Sequence, residues 1–495
     1  MGKLQSLAKD TAIYGLSSIV GRFLNYLLVP LYTAKMDVES GNYGIVTNVY
    51  AWTAILLVLL TFGFETTFFR FASKENANIK RVFSMSMQVI GTLCGVFLLL
   101  VFMFMPGISE SLGYAGNPEF IGMMAVVVAL DALQAIPFGL LRFQKRPMKF
   151  AALKLLFIGV NITMNLAAFV LLPYLANTYP GTFGEYYDPH NQAFYVFFIN
   201  LLCTSFITLF FIPELRMFRF TADIGLLKSM LKYSWPLLIL GIAGILNLNA
   251  DKIIYTWLVP GNEDIKELGI YGASVKIAAI MAMLMQAFRY AYEPFVFGNS
   301  KEKDSKELYA NAMKYFIVMA MLAFLVVVFY MDVIRYIISP AYWDGLKVVP
   351  IVMAAEIFMG VYFNLSFWYK LNDETYWGAI FSFIGCAVLF AMNILLVPKY
   401  GYIACAWASF SGYLVAMLLS YFIGQKRNAI KYDIKSILIY TLLFAAIYGI
   451  SLVLPFENSI VKMAINTILL ALFAAYFIKK DLPLKSLPVI GKFFR

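Results

Sequence analysis

The 495-residue sequence holds a single histidine, His190, and four cysteines, Cys94, Cys203, Cys386 and Cys405. One imidazole in a polar loop makes neither a zinc site nor a histidine relay. The cysteines stand inside apolar runs without CxxC spacing, so they read as small buried hydrophobes rather than metal ligands. Charge is also scarce. Only 14% of residues are charged and 62% are hydrophobic, whereas a soluble protein is about a quarter charged. An ordinary soluble enzyme and a disordered chain are thereby excluded. There is no glycine-rich phosphate loop, so ATP is not the expected energy source. No nucleophile triad or paired acid and base stands out, so no catalytic residues, metal or cofactor are expected. The formal net charge is +11, but the basic residues do not cluster as a nucleic-acid face requires.

Long apolar runs are what the sequence has instead. A membrane span needs about 20 mostly apolar residues. Candidates fall at 11–33, 43–64, 82–106, 118–141, 149–174, 193–213, 233–259, 268–297, 309–331, 345–370, 374–398, 401–423, 436–455 and 458–478. Runs of this length exclude a membrane barrel, whose strands alternate over about ten residues. The first apolar segment is too long for a signal-peptide core and reads as a span. The expected fold is an all-α polytopic membrane protein of about fourteen helices. Pro30, Pro137, Pro236 and Pro294 are candidate kinks.

Orientation follows from the basic residues. With the N-terminus in the cytoplasm, thirty of the 39 Lys and Arg fall on the inner side, among them Arg70, Arg142, Arg146, Lys149, Lys154 and Lys314. Six fall outside: Lys35, Lys266, Arg335, Lys347, Lys399 and Lys462. Both termini are expected in the cytoplasm. Arg22, Lys252 and Lys276 remain within spans.

An internal repeat is visible at an offset of 228. Tyr43-Gly44 matches Tyr271-Gly272, and Glu65 matches Glu293. The offset spans six helices, so the halves run in the same direction, as in two bundles related by an axis along the membrane normal. The expected division is a first lobe at 1–213, a linker at 214–232, a second lobe at 233–425, and two further helices with a basic tail at 426–495.

An ionised side chain at mid-membrane costs at least about 2.5–3.5 kcal/mol and normally faces the bundle interior or water. Arg22 shares a helical face with Tyr14, Ser18 and Asn25. It is a candidate ligand for an anion; a locking ion pair with an internal carboxylate is the alternative. Asn247, Asn249, Asp251 and Lys252 crowd within six residues. Neighbouring Asp and Lys project about 100° apart on a helix, so these two are expected not to pair. Lys276 is placed to snorkel outward. Arg289 and Glu293 stand four apart and suit either a ligand role or an intrahelical pair. Asp131 and Glu356 are central carboxylates suited to coupling through a proton or another cation, and Glu293 and Glu65 are coupling candidates with them.

Several stretches resemble the polysaccharide (O-antigen type) flippase family of the multidrug/oligosaccharidyl-lipid/polysaccharide exporter superfamily. They are Leu7-Ala8-Lys9-Asp10-Thr11 with Tyr14-Gly15-Leu16, then Leu28-Val29-Pro30-Leu31-Tyr32-Thr33, and Tyr43-Gly44 with Phe69-Arg70-Phe71. They continue with Leu140-Leu141-Arg142, with Leu268-Gly269-Ile270-Tyr271 followed by Lys276-Ile277-Ala278, and with Asn393 and Val397-Pro398-Lys399-Tyr400-Gly401. The likeness runs in order over about 7–425. Ala404-Cys405-Ala406 departs from the family's usual Gly-Ala-Ala, which touches helix packing. The resemblance implies translocation of an undecaprenyl-pyrophosphate-linked oligosaccharide from inner to outer leaflet of a bacterial cytoplasmic membrane. It implies alternating access and H+ or Na+ coupling. Implied partners are the lipid-linked cargo and membrane lipids, with a polysaccharide polymerase and glycosyltransferases as candidates. Arg22, Asn25, Arg70, Asn247, Asp251, Lys252, Lys276 and Arg289 are then the candidate cavity residues. A multidrug exporter would line its cavity with carboxylates, and a lipid II flippase fits the same charges with poorer likeness at these motifs. A membrane-embedded glycosyltransferase or polymerase would need a large outer loop or soluble domain, which these short connections do not supply.

Overall fold

The computed structural model describes residues 24, 26–74, 77–259, 263–299, 305–372, 374–454 and 458–481, with backbone alone at 263, 290, 291, 293–295 and 297–299. Among the described residues all regular structure is helical. Thirteen helices there are long and apolar enough to cross a membrane, one for every expected span after the first. The first, 11–33, lies mostly outside the described residues; its end is α1 (Leu28–Lys35).

The described residues up to Ala273, with Asn393–Tyr402, form one compact unit. It contains α2 (Asn42–Thr61), α3 (Phe64–Ala72), α4 (Ile79–Ser111), α5 (Glu119–Phe143), α6 (Pro147–Leu166), α7 (Gln192–Leu209) and α8 (Ile224–Leu258), and it takes in the start of α9 (Glu263–Asn299). The expected linker at 214–232 thus lies inside this unit, and α8 packs along α2. The most buried span is α5, which packs against α2, α4 and α7. Its small and apolar residues Ala129, Ala132, Ile136 and Leu140 meet Phe64, Phe68, Phe83 and Ile90.

Local chemistry sets the ends. Asn78 and Asp223 accept from the Arg81 and Leu226 amides and so cap α4 and α8, satisfying donors that a helix start leaves orphaned. Asp223 also pairs with Arg81 at 2.8 Å. Phe62 and Gly63, both at positive φ, break α2 from α3. Non-helical backbone occurs inside α4 at Phe104, two residues before Pro106, where a proline ring crowds the preceding turn. Pro137 and Pro236, the expected kinks, lie within unbroken α5 and α8. α6 passes through a π-turn at Ala167–Leu171.

The second unit holds the described residues from Ser274 to Met392 and from Ile403 onward. Its helices are the remainder of α9, α10 (Ser305–Phe329), α11 (Val349–Leu365), most of α12 (Tyr376–Tyr400), and α13 (Tyr402–Arg427), α14 (Ile434–Val453) and α15 (Ser459–Lys480). α10 packs against α11, α14 and α15. Lys314 on α10, counted above as a topology-setting charge, is buried. Its Nζ lies 2.6 Å from Asp481 and 3.5 Å from Asp433, and Tyr440 donates to Asp481. These bonds tie the start of α14 and the end of α15 to α10.

Both carboxylates are held below the ordinary aspartate range. For Asp433 the cause is hydrogen bonding from the Ser436 hydroxyl and amide, helped by Lys314. For Asp481 burial pushes the pKa up, but the bonds from Lys314 and Tyr440 outweigh it. A depressed folded pKa contributes stability at neutral pH that is lost as pH falls through it. The melting-temperature gap between wild type and Asp481→Asn in detergent is therefore expected to be open at pH 7. It should close below the ordinary aspartate range; a constant gap would dissociate the carboxylate from the anchor.

Candidate functional site

In the first unit, α2 and α9 meet at their starts with almost no side chain between them. A Cβ on Gly44 would overlap the Ile265 carbonyl, and one on Gly269 would lie 3.0 Å from the Gly44 nitrogen. Small residues permit such close crossings inside a membrane. The motif turn at Gly401 (φ 56) packs here as well: a Cβ on it would stand 3.0 Å from Glu267, whose carboxylate accepts from Tyr255. The repeat-related Tyr43-Gly44 and Tyr271-Gly272 segments thus lie side by side, and a Cβ on Gly272 would meet Thr47.

Beside this crossing, Lys252 Nζ lies 2.9 Å from Asp251 Oδ1 and 3.0 Å from the Leu248 carbonyl. The sequence expectation that these neighbours do not pair is corrected. Their Cβ atoms diverge, but the four-carbon lysine stem folds back to bring the ammonium to the carboxylate. Tyr271 donates to Asp251 Oδ2 at 2.6 Å. The Asn48 amide donates to the Lys252 carbonyl at 2.8 Å, and Tyr114 donates to the Asn48 oxygen at 2.9 Å. Asn247 donates to Ala243 O. Asp251 and Lys252 therefore form a satisfied ion pair whose hydrogen bonds join α8 and α9.

A polar seam runs through the same unit around α5. Gln134 donates to Thr204 O at 3.1 Å and to Thr208 Oγ1 at 2.8 Å. Asn200 donates to Tyr50 Oη, and Tyr32 donates to Asn165. Asp131 is half-buried in this seam. It closes no ion pair among the described residues but lies within electrostatic reach of Lys154 and Tyr50. Lys154 stacks its ammonium 4.1 Å from the Phe138 ring. In the sequence Lys154 reads as a topology charge, because nothing near it along the chain marks a counter-charge on α5.

Toward the basic end of this unit, Glu65 pairs with Arg142, while Arg146 and Lys149 hold the buried Glu214 at 3.3 and 2.7 Å. Arg70 differs. It is exposed, its guanidinium sits 4.0 Å from the Tyr233 ring, and among the described residues it has no carboxylate partner. In the second unit Arg289 behaves alike: it is exposed, 4.3 Å from the Phe363 ring, with no ion pair among the described residues. Lys370 lies 4.6 Å from the same ring. Lys276 is exposed and Glu356 half-buried, both on this unit's helices and both with interactions of their own. Arg22 and Asn25 lie outside the described residues, as does the Glu293 side chain. No cluster of three metal-ligating side chains occurs among the described residues.

The backbone superposes on the lipid II flippase MurJ in an inward closed conformation, with a TM-score of 0.71 and 14% identity over 94% of this chain and 98% of that one. It also matches an inward-facing MATE-family multidrug resistance transporter of the MOP superfamily, with a TM-score of 0.62 and 13% identity over 82% and 94%. A third match is a MOP-superfamily transporter from Pyrococcus furiosus whose reversed pocket polarity suggests a different function, with a TM-score of 0.52 and 13% identity over 85% and 95%. The fold is that of a multi-pass MOP-superfamily transporter. No curated protein matches the sequence. The family model of polysaccharide biosynthesis proteins covers residues 7–292, more than half of the chain, and the chain belongs to that family.

Removing one partner of a buried ion pair costs about 3–5 kcal/mol, because the other charge is left uncompensated. Asp251→Ala is expected to lower detergent stability on that scale, and Asp251→Ala with Lys252→Met to regain most of it. Gly44→Val should abolish folded protein, since backbone stands where the branched carbons would go. Size-exclusion profiles and thermal melts read both; a wild-type melt for Asp251→Ala would refute the structural pair.

Proposed function

We propose that the protein is a flippase carrying an undecaprenyl-pyrophosphate-linked oligosaccharide across the bacterial cytoplasmic membrane. The observation that carries this reading is a pair of exposed arginines, Arg70 and Arg289, each lying on an aromatic ring without a carboxylate partner among the described residues. Arg142, Arg146 and Lys149, by contrast, are neutralised by acids. Unpaired guanidinium groups are suited to a diphosphate, which accepts paired charge-assisted hydrogen bonds. Family membership supports a polysaccharide precursor as cargo.

Arg22, mid-span in the sequence, is the central diphosphate ligand in this proposal, with Arg70 capturing the headgroup at the cytoplasmic mouth; Arg289, in the second unit, is a separate candidate for the same chemistry. Alternating access between the two lobes moves the site from one face to the other. Asp131, near Lys154 and within a hydrogen-bonded seam, is the proposed point of H+ or Na+ coupling, and Glu356 is the second candidate. Glycosyltransferases that build the cargo and the polymerase that consumes it are the proposed partners. A lipid II cargo is the second reading; the likeness to MurJ reaches across 94% of the chain. A drug exporter of cations is disfavoured by the arginines.

Complementation of strains lacking each flippase type separates these readings. Rescue of surface-glycan export, and not of lipid II translocation, is expected. Arg22→Ala should fall to the level of the empty vector at normal protein abundance, and Arg22→Lys should keep partial export. Arg289→Ala and Arg70→Ala should each lower export about tenfold, the loss of roughly one charge-assisted contact. Asp131→Asn should flatten the dependence of transport on pH or sodium. An unchanged profile would remove Asp131 from coupling, and full export by Arg22→Ala would remove the diphosphate site.

A further inference from the structure

The second unit contains a cavity of about 350 Å³ where α9 and α11 end and α10 begins, near the 428–432 turn. Its size lies in the range of small-molecule pockets. Lys306, Lys370 and Arg427 stand at this end, so the positive-inside rule puts it at the cytoplasm.

The cavity has an unmet polar demand. Asn364 is 4% exposed and lines it. Its Nδ2 donates to the Gly360 carbonyl at 2.9 Å, which fixes the amide and leaves Oδ1 buried without a donor among the described residues. A buried acceptor of this kind asks for a hydroxyl or N–H from something that enters. Asn372 and Asn428 add two more amides on the rim. The walls are aromatic: Tyr292 and Trp368 are buried, and Tyr432 is half-buried. Trp368 is held in place by its Nε1 bond to the Ser420 carbonyl at 3.2 Å and by the close approach of Gly424, where a Cβ would stand 2.8 Å from the indole.

Among the described residues no carboxylate lines this cavity, which argues against a cationic drug. The lining cation Lys306 donates its ammonium to the Ala429 carbonyl at 3.0 Å, which is a poor cradle for a diphosphate. Ring faces combined with neutral amides suit a pyranose, whose C–H face packs on aromatics and whose hydroxyls both donate and accept.

We propose that this cavity is a saccharide subsite that reads a sugar ring of the cargo before translocation. The proposal rests on the flippase reading above and adds to it a specificity element separate from the arginines. The Asn364 carbonyl oxygen receives a sugar hydroxyl, Asn372 and Asn428 bracket the ring edge, and Tyr292, Trp368 and Tyr432 bound its faces.

The test uses the full-length purified protein and two probes. One is the oligosaccharide released by mild acid from the host strain's undecaprenyl-pyrophosphate-linked pool; the other is inorganic pyrophosphate. Wild type is expected to bind the oligosaccharide. Asn428→Ala and Asn372→Ala, both at the rim and tolerant of folding, should weaken it at least fivefold while pyrophosphate binding is unchanged. Asn364→Leu should abolish it, but the rim variants decide the matter if that variant fails to fold. In proteoliposomes the same rim variants should raise the half-saturating concentration of the intact lipid-linked unit by a similar factor. Absence of oligosaccharide binding by wild type, or equal binding by the rim variants, overturns the subsite. Binding of the released glycan with no effect on the intact unit overturns its role in cargo selection. Failure of wild type to move the intact unit at all overturns the flippase reading, and the binding arm still judges the subsite.

Discussion

The first unit is organised by the contact of two helix backbones at Gly44 and Gly269. Helices inside a membrane gain little hydrophobic free energy by meeting, because the lipid they leave is as apolar as the partner they find. What holds them is close packing and hydrogen bonding, and both require the backbones to approach. At this crossing the approach brings the Tyr271 hydroxyl to Asp251 and the Asn48 amide to the Lys252 carbonyl. The desolvated carboxylate and ammonium are then satisfied from α8 and α9, while α2 bonds the Lys252 backbone. A bulkier residue at Gly44 would pull that network apart as well as the helices. The segments related by the internal repeat thus lie beside one another at this crossing.

The basic residues named as candidates or topology charges differ in their neighbours. Arg142, Arg146, Lys149, Lys252 and Lys314 each have a carboxylate partner, and several of those partners are buried. Such pairs offset the cost of desolvation and fix geometry, but their field is largely cancelled at a distance. Arg70 and Arg289 lie over rings with no carboxylate partner among the described residues. An aromatic face holds a guanidinium in orientation with about 0.5–2 kcal/mol of attraction and leaves its charge and its N–H donors directed outward. That is the condition in which an arginine remains able to bind an anion.

The spans were legible in the sequence because hydropathy over a 20-residue window is a local property, and each expected span after the first has its helix. Their ends were less legible. Capping by Asn78 and Asp223 carries α4 and α8 several residues beyond their apolar cores into polar sequence. Pro137 and Pro236 sit in unbroken helices, and the non-helical residue inside α4, Phe104, precedes Pro106, which was not among the expected kinks. The pairing of Asp251 with Lys252 was hidden because the angle between Cβ atoms ignores the reach of a lysine stem. Lys154 and Lys314 looked like topology signals; the carboxylates that face them, Asp131 for the one and Asp481 for the other, stand on or just beyond other helices. Asn364 carried no mark at all, because an orphaned acceptor is defined only by what surrounds it.

Lys314 also bears on the two helices beyond the twelve of the repeat. A buried lysine is unfavourable unless its donors are met, and here they are met from the end of α15 and the start of α14. The hydroxyls of Tyr440 and Tyr315 complete the shell, donating to the Asp481 carboxylate and carbonyl. Helix α10 thereby supplies one charge and the C-terminal pair supplies the compensating ones, so neither half of the anchor is well solvated or well paired alone. Purely apolar packing of α14 and α15 on α10 would allow sliding along the helix axis; a single buried charge with directional partners permits one register. The C-terminal helices are consequently fixed to α10 as part of the second unit, and any rearrangement of that unit must carry them along or first hydrate a buried ion pair.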